Sequence, residues 1–260
     1  MRPLAPGSRV LRLTLEYDGT ELSGWQLQPG VRTVQGELER ALESLLGAPV
    51  RPTAAGRTDS GVHAAGQVVS LRLAPSQLLP LKAFVQGLNG LLPPDVAVRR
   101  AEWAEDDFDA RRRSRGKLYR YRILHGLPRS PLHRLTHWIV YRRLAVPPMR
   151  QAAACFVGSH DFAAFRAANC EARTTRRRII RFTVSGEDRP GEIVIEVLGT
   201  AFLKQMVRNL VGTLVDVGSG RRKPEEMEAL LRSRDRRKSG PTAPAHGLML
   251  CEVFYEDQVE

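Results

Sequence analysis

The run Ala55-Gly56-Arg57-Thr58-Asp59-Ser60-Gly61-Val62-His63-Ala64 concentrates reactive side chains between two apolar stretches. A polar Arg-Thr-Asp-Ser core in such a setting is costly unless its groups find partners. Gly56, Gly61 and Gly66 give the backbone the freedom that a tight loop needs. Arg57 and Asp59 stand two residues apart, so in an extended stretch their side chains share a face. A neighbouring guanidinium keeps a carboxylate ionised even when partly buried, which suits a nucleophile better than a general acid. The same spacing also occurs in ordinary glycine-rich turns. No P-loop, dinucleotide fingerprint or metal-ligand spacing accompanies the run.

The elements that would hold this loop are legible on both sides of it. Alternation over residues 10–17 predicts a strand. The stripe Val34, Leu38, Ala41, Leu42, Leu45 and Leu46 predicts a helix over 34–46, capped by Thr33 and Gly47. Strands are expected near 50–54, at 67–73 and at 96–103, with a helix through Leu78, Leu81, Val85 and Leu88. The order is β-α-β-β-α-β. The second half repeats it: a strand at 117–124, a helix at 149–157 introduced by Pro147 and Pro148, and strands at 175–184 and 193–198 joined by a turn at 185–191. A helix over 202–217, a short helix after Pro224 and a strand at 248–255 complete it. The expected fold class is α+β: two ferredoxin-like halves, residues 1–110 and 111–260, whose antiparallel sheets flank a central basic cleft.

The 260 residues carry a formal net charge of +12, and the excess is unevenly placed. Residues 1–110 hold 11 basic and 13 acidic side chains, net −2; residues 111–260 hold 29 and 15, net +14. Several arginine clusters in one half point to a polyanion partner rather than to a solubilising surface. Hydrophobic residues at 42% support a packed core and exclude wholesale disorder. No run approaches the roughly 18 apolar residues of a membrane span, and the first residues lack the apolar segment of a secretory signal. The three cysteines have no CxxC spacing, against a disulfide framework or zinc site. The expected location is the cytoplasm.

Taken in order, GRTDSGVHA (56–64), placed after EYDGT (16–20) and GWQ (24–26), resembles the tRNA pseudouridine synthase A (TruA) family. The resemblance continues through DFDAR (107–111), KLYRYRI (117–123), GSHDFAAFR (158–166), AFLKQMVRNLVGTLVDVG (201–218) and GPTAPAHGL (240–248), essentially the whole chain. Ser60 stands where the family usually has Ala, and Met249 where an aromatic is common.

The resemblance implies isomerisation of uridine to pseudouridine at positions 38, 39 and 40 of the tRNA anticodon stem-loop, by a homodimer that needs no cofactor and no metal. It makes Asp59 the catalytic nucleophile and Arg57 the residue that helps extrude the target nucleotide. Tyr119 would stack on the flipped uracil, and Arg208 would pair with Asp59 across the cleft. RNA contacts are expected from Arg111, Arg112, Arg113, Arg115 and Lys117, and from Arg176, Arg177 and Arg178, as phosphate contacts that position the tRNA. His63 reads as a loop anchor, and His160 with Asp161 as a packing motif. The alternative is a non-catalytic tRNA-binding or chaperone protein of the same fold, against which the intact Arg57-Thr58-Asp59 run argues. An RNA hydrolase using Asp59 as general base lacks a companion His or metal-binding carboxylates.

Overall fold

A computed structural model describes residues 6–186 and 191–255, with mixed α and β structure and five α-helices among them. They fall into two compact units: residues 6–114 together with Leu250–Tyr255, and Arg115–Met249.

The first unit contains β1 (Arg9–Tyr17), α1 (Val34–Leu46), β2 (Thr53–Ala54), β3 (His63–Leu73), α2 (Leu81–Leu91) and β4 (Val96–Ala104). β1 runs antiparallel to both β3 and β4, and β2 pairs antiparallel with β3. Leu11, Leu13 and Leu15 bury one face of β1, and Leu38, Leu42, Phe84 and Leu88 of the two helices are fully buried with them. The expected caps hold α1: the Thr33 hydroxyl accepts the Gly36 N–H at 3.2 Å, and Gly47 ends the helix at φ +70°. β3 begins at His63, four residues before the predicted start. Its pairing with β1 slips by one residue between Leu15↔Gln67 and Tyr17↔Ala64. This bulge turns the strand where it enters the 55–62 loop.

The second unit contains β5 (Gly116–His125), β6 (Trp138–Val140), α3 (Val146–Ala154), β7 (Gly158–Asp161), β8 (Arg176–Gly186), β9 (Glu192–Gly199), α4 (Met206–Gly218), α5 (Glu226–Ser233) and the start of β10 (Leu248–Phe254). Its sheet runs β5-β9-β8-β7 with antiparallel neighbours, and β6 lies parallel to β5. α3 packs on α4 and β8. Several elements differ from the sequence reading. β6 and β7 are too short to carry a periodic signal. α3 starts at Val146 because its prolines lie inside the first turn, where no N–H is needed. α4 starts at Met206 rather than at 202, because Gln205 adopts φ +60° and cannot continue a helix backwards. From Leu250 onward β10 groups with the first unit, where it lies beside β3. Residues 187–190 of the expected turn lie outside the described residues.

Candidate active site

In the first unit the loop between β2 and β3 carries Arg57 and Asp59, Arg57 exposed and Asp59 half-buried. Buried polar bonds fix the backbone around them. The Thr58 hydroxyl lies 2.8 Å from the Tyr17 hydroxyl at the end of β1. Gln67, fully buried on β3, donates to the Gly56 carbonyl at 2.8 Å and reaches the Tyr17 oxygen at 3.5 Å. Burial pushes the Tyr17 phenol up to about 12, against the bonds to Thr58 and Gln67 that pull it down. The Thr58 carbonyl accepts the Trp25 N–H at 3.1 Å, and the Ser60 hydroxyl donates to the Leu22 carbonyl at 3.2 Å. Trp25 is 3% exposed, so it anchors the 22–25 turn from within.

Two glycines let that turn approach the loop. Gly24 has φ +84°, and a Cβ there would meet the Thr58 carbonyl at 2.8 Å and the Ser60 nitrogen at 3.0 Å. A Cβ on Gly19 would collide with the backbone of Val62. His63 Nδ1 lies 3.1 Å from the Gly19 nitrogen and 3.0 Å from an Asp18 carboxylate oxygen, which makes it the anchor that its sequence suggests. The arrangement presents one guanidinium and one carboxylate, two residues apart, on a backbone tied down at Gly56, Thr58, Ser60 and His63.

In the second unit Tyr119 and Tyr121 share one face of β5 and are both buried. The Tyr119 ring meets Phe202 edge-on, with centroids 5.2 Å apart. Phe202 precedes α4 instead of lying within it, and it sits over Gly199, where a Cβ would meet its ring at 2.9 Å. Tyr121 donates to the Pro244 carbonyl at 2.8 Å, and a side chain on Gly247 would strike the Tyr121 ring at 2.5 Å. Burial raises the Tyr121 phenol well above its ordinary value, with Arg208 pulling the other way. Arg208, half-buried in the first turn of α4, donates from Nε to the Ala243 carbonyl at 2.8 Å, and the Ala243 N–H returns a bond to the Arg208 carbonyl at 3.1 Å. Arg208, Tyr121 and the 243–247 segment therefore form one cluster.

That segment is docked by residues the sequence reading passed over. Asn209, fully buried, donates to the Phe165 carbonyl at 2.7 Å and accepts from Thr242 at 2.7 Å and Arg236 at 3.0 Å. Gly212 lets the Pro241 carbonyl touch α4, where a Cβ would collide with it. The available signals were Gln67 and Asn209, polar residues set within apolar strand and helix runs.

The basic clusters divide. Arg111, Arg112 and Arg115 are exposed, but Arg113 is held by Glu105 at 2.9 Å and Asp107 at 2.6 Å. Lys117, expected among the RNA contacts, is only 9% exposed on the strand that carries Tyr119 and has partners within the fold. Arg176 and Arg178 are exposed, and Arg177 is half-buried. His160 bonds the Val157 carbonyl at 2.8 Å, while Asp161 pairs with Arg234 at 2.9 Å, so the two are not a catalytic pair. Among the described residues no group of three or more His, Cys, Asp or Glu side chains could hold a metal ion, and no helix is long and apolar enough to cross a membrane.

The family model described as tRNA pseudouridine synthase matches residues 14–111 and 152–256, which include Arg57, Asp59 and Arg208. The chain belongs to the tRNA pseudouridine synthase family. It is 55% identical over 248 residues to tRNA pseudouridine synthase A of Myxococcus xanthus, covering 95% of this chain and 92% of that one. The namesake proteins of Pelobacter propionicus and Geotalea uraniireducens are 51% and 49% identical, each alignment covering 95% of this chain and 100% of the relative. Among solved structures, an archaeal box H/ACA sRNP Nop10-Cbf5 complex matches 79% of this chain and 43% of that one at 13% identity and a TM-score of 0.35.

Proposed function

We propose that this member of the family is an isomerase that converts uridine to pseudouridine at positions 38, 39 and 40 in the anticodon stem-loop of tRNA, with Asp59 as nucleophile. In that reaction the bond from ribose C1′ to base N1 breaks, the uracil turns, and C1′ bonds to C5. The C5 proton leaves and N1 gains one, so atoms and electrons balance with no co-reactant. An ionised carboxylate serves whether it attacks the sugar, attacks the base, or takes a sugar proton on the way to a glycal. On this reading the two ferredoxin-like halves furnish one site in a basic cleft, Arg57 and Asp59 from the first and Tyr119 and Arg208 from the second.

The observation that carries the reading is the fixing of Thr58, next to Asp59, by the buried Tyr17 hydroxyl at 2.8 Å within the family's own segment. Catalysis needs its carboxylate held in place before the substrate arrives. Reaching a uridine inside a stem requires flipping it out, which costs a few kcal/mol; an exposed Arg57 suits the place the base leaves. The buried Tyr119 ring, braced by Phe202, suits a stacking wall for uracil. The protein acts as a cytoplasmic homodimer without cofactor or metal.

The test is pseudouridine mapping on unmodified tRNA transcripts incubated with the purified protein and EDTA. New pseudouridine confined to the anticodon arm is the expected result; tight tRNA binding with no product would make the chain a binding protein instead.

A further inference from the structure

Where β8 begins, a cavity of about 320 Å³ is lined by Ser159, Arg176, Arg177, Arg178, Thr200 and Ala201. Arg176 and Arg178, which share one face of β8, bring two exposed guanidinium groups to it, and Ser159 and Thr200 bring two hydroxyls. Among the described residues no ion pair joins these arginines to an acid. Asp161, opposite Arg176 in the β7–β8 register, is bound to Arg234 at 2.9 Å and feels Arg176 only through space. Such a set fits the two non-bridging oxygens of a phosphodiester, since guanidinium forks and hydroxyls donate to them while nothing in the lining repels them.

Arg177 stands between Arg176 and Arg178 on the alternate face of the strand and braces the backbone there. It folds back so that one terminal nitrogen donates to the Thr174 carbonyl at 3.0 Å, the Thr174 hydroxyl at 3.2 Å and the Arg176 carbonyl at 2.6 Å. Its Nε is buried without a hydrogen-bond partner among the described residues, and burial pulls its pKa below the ordinary guanidinium value. Arg176 and Arg178 stay exposed on either side of it.

The pocket also adjoins the aromatic wall. The Thr200 N–H donates to the Arg178 carbonyl at 3.0 Å, which ties the chain after β9 to β8. Thr200 and Ala201 line the cavity, and the next residue, Phe202, braces Tyr119. Gly199 makes the junction possible: a Cβ there would meet both Phe202 at 2.9 Å and the Arg178 carbonyl at 3.0 Å.

The geometry points to a phosphate seat: the cavity holds one phosphate of the RNA strand that carries the target uridine, beside the nucleotide whose base stacks on Tyr119. This rests on the function proposed above.

The test compares the full chain with an Arg176→Gln, Arg178→Gln double variant on an unmodified tRNA transcript, with Arg99→Gln as the control that removes an exposed charge of the first unit. Affinity is measured against salt, and phosphate ethylation interference locates the contacts. The double variant is expected to bind about ten- to hundredfold more weakly, and its slope of log affinity against log salt should flatten by up to about 0.9, the share of one phosphate. An ethylated phosphate flanking the target uridine should impair binding of the parent protein but not of the double variant. Unchanged affinity and slope, or an interfering phosphate remote from the target, would overturn the inference. A parent protein that makes no pseudouridine would instead overturn the proposed function, and the binding data would still report on the pocket.

Discussion

At the scale of single residues, the site rests on polar groups that are buried and paired. Tyr17 is the plainest case, since its hydroxyl serves Thr58 next to Asp59. Tyr17→Phe leaves the Thr58 hydroxyl without that bond, at a cost of about 1–3 kcal/mol. Turnover is expected to fall while the dissociation constant for tRNA stays near the parent value; an unchanged kcat would show that the bond does not position Asp59. The same residue gives a pH signature. Its folded pKa of about 12 lies above the ordinary value of 10.0, so the folded state favours the neutral phenol. That contribution to stability is intact below pH 10 and is lost as pH rises from 10 towards 12. Denaturant midpoints measured across that window should fall for the parent and fall less for Tyr17→Phe.

At the scale of elements, close backbone approaches at glycine decide what the site residues touch. Gly212 admits the Pro241 carbonyl onto α4, and the strap that follows supplies the Ala243 partner of Arg208. Gly212→Ala should push the strap away, cost about 1–3 kcal/mol by overpacking, and lower kcat beyond what the reduced stability explains. Thermal unfolding and turnover of the same variant check both. Much at this scale was legible in the chain itself: α1 has its predicted ends because Thr33 and Gly47 are local signals that tertiary packing did not override. The start of α4 was not, since Phe202 keeps the apolar period while Gln205 breaks the backbone at φ +60°. The short strand β7 was not either, because Gly158–Asp161 acquires its conformation from pairing with Arg176–Ile179 of β8. The loop at Arg57–Asp59 could be picked out by residue type, but its support could not. Tyr17 lies 41 residues from Thr58 in sequence, and only the fold brings the two hydroxyls together.

At the scale of the whole molecule, the charge asymmetry between the two halves becomes a question of which arginines keep a charge available to RNA. Arg111 and Arg112 are exposed, whereas Arg113 is held by Glu105 and Asp107. Arg111→Gln with Arg112→Gln is therefore expected to flatten the salt dependence of tRNA binding, by up to about 0.9 for each phosphate left without its cation. Arg113→Gln should change it much less, and equal effects from both would contradict this division. The proposed chemistry turns on Asp59, and single-turnover pseudouridine formation by Asp59→Asn, with tRNA affinity measured in parallel, decides whether that carboxylate reacts. The expected result is a rate at least about 10³-fold below the parent with tRNA still bound. Product formed by Asp59→Asn at a rate near that of the parent would contradict that role and move the chemistry to another carboxylate.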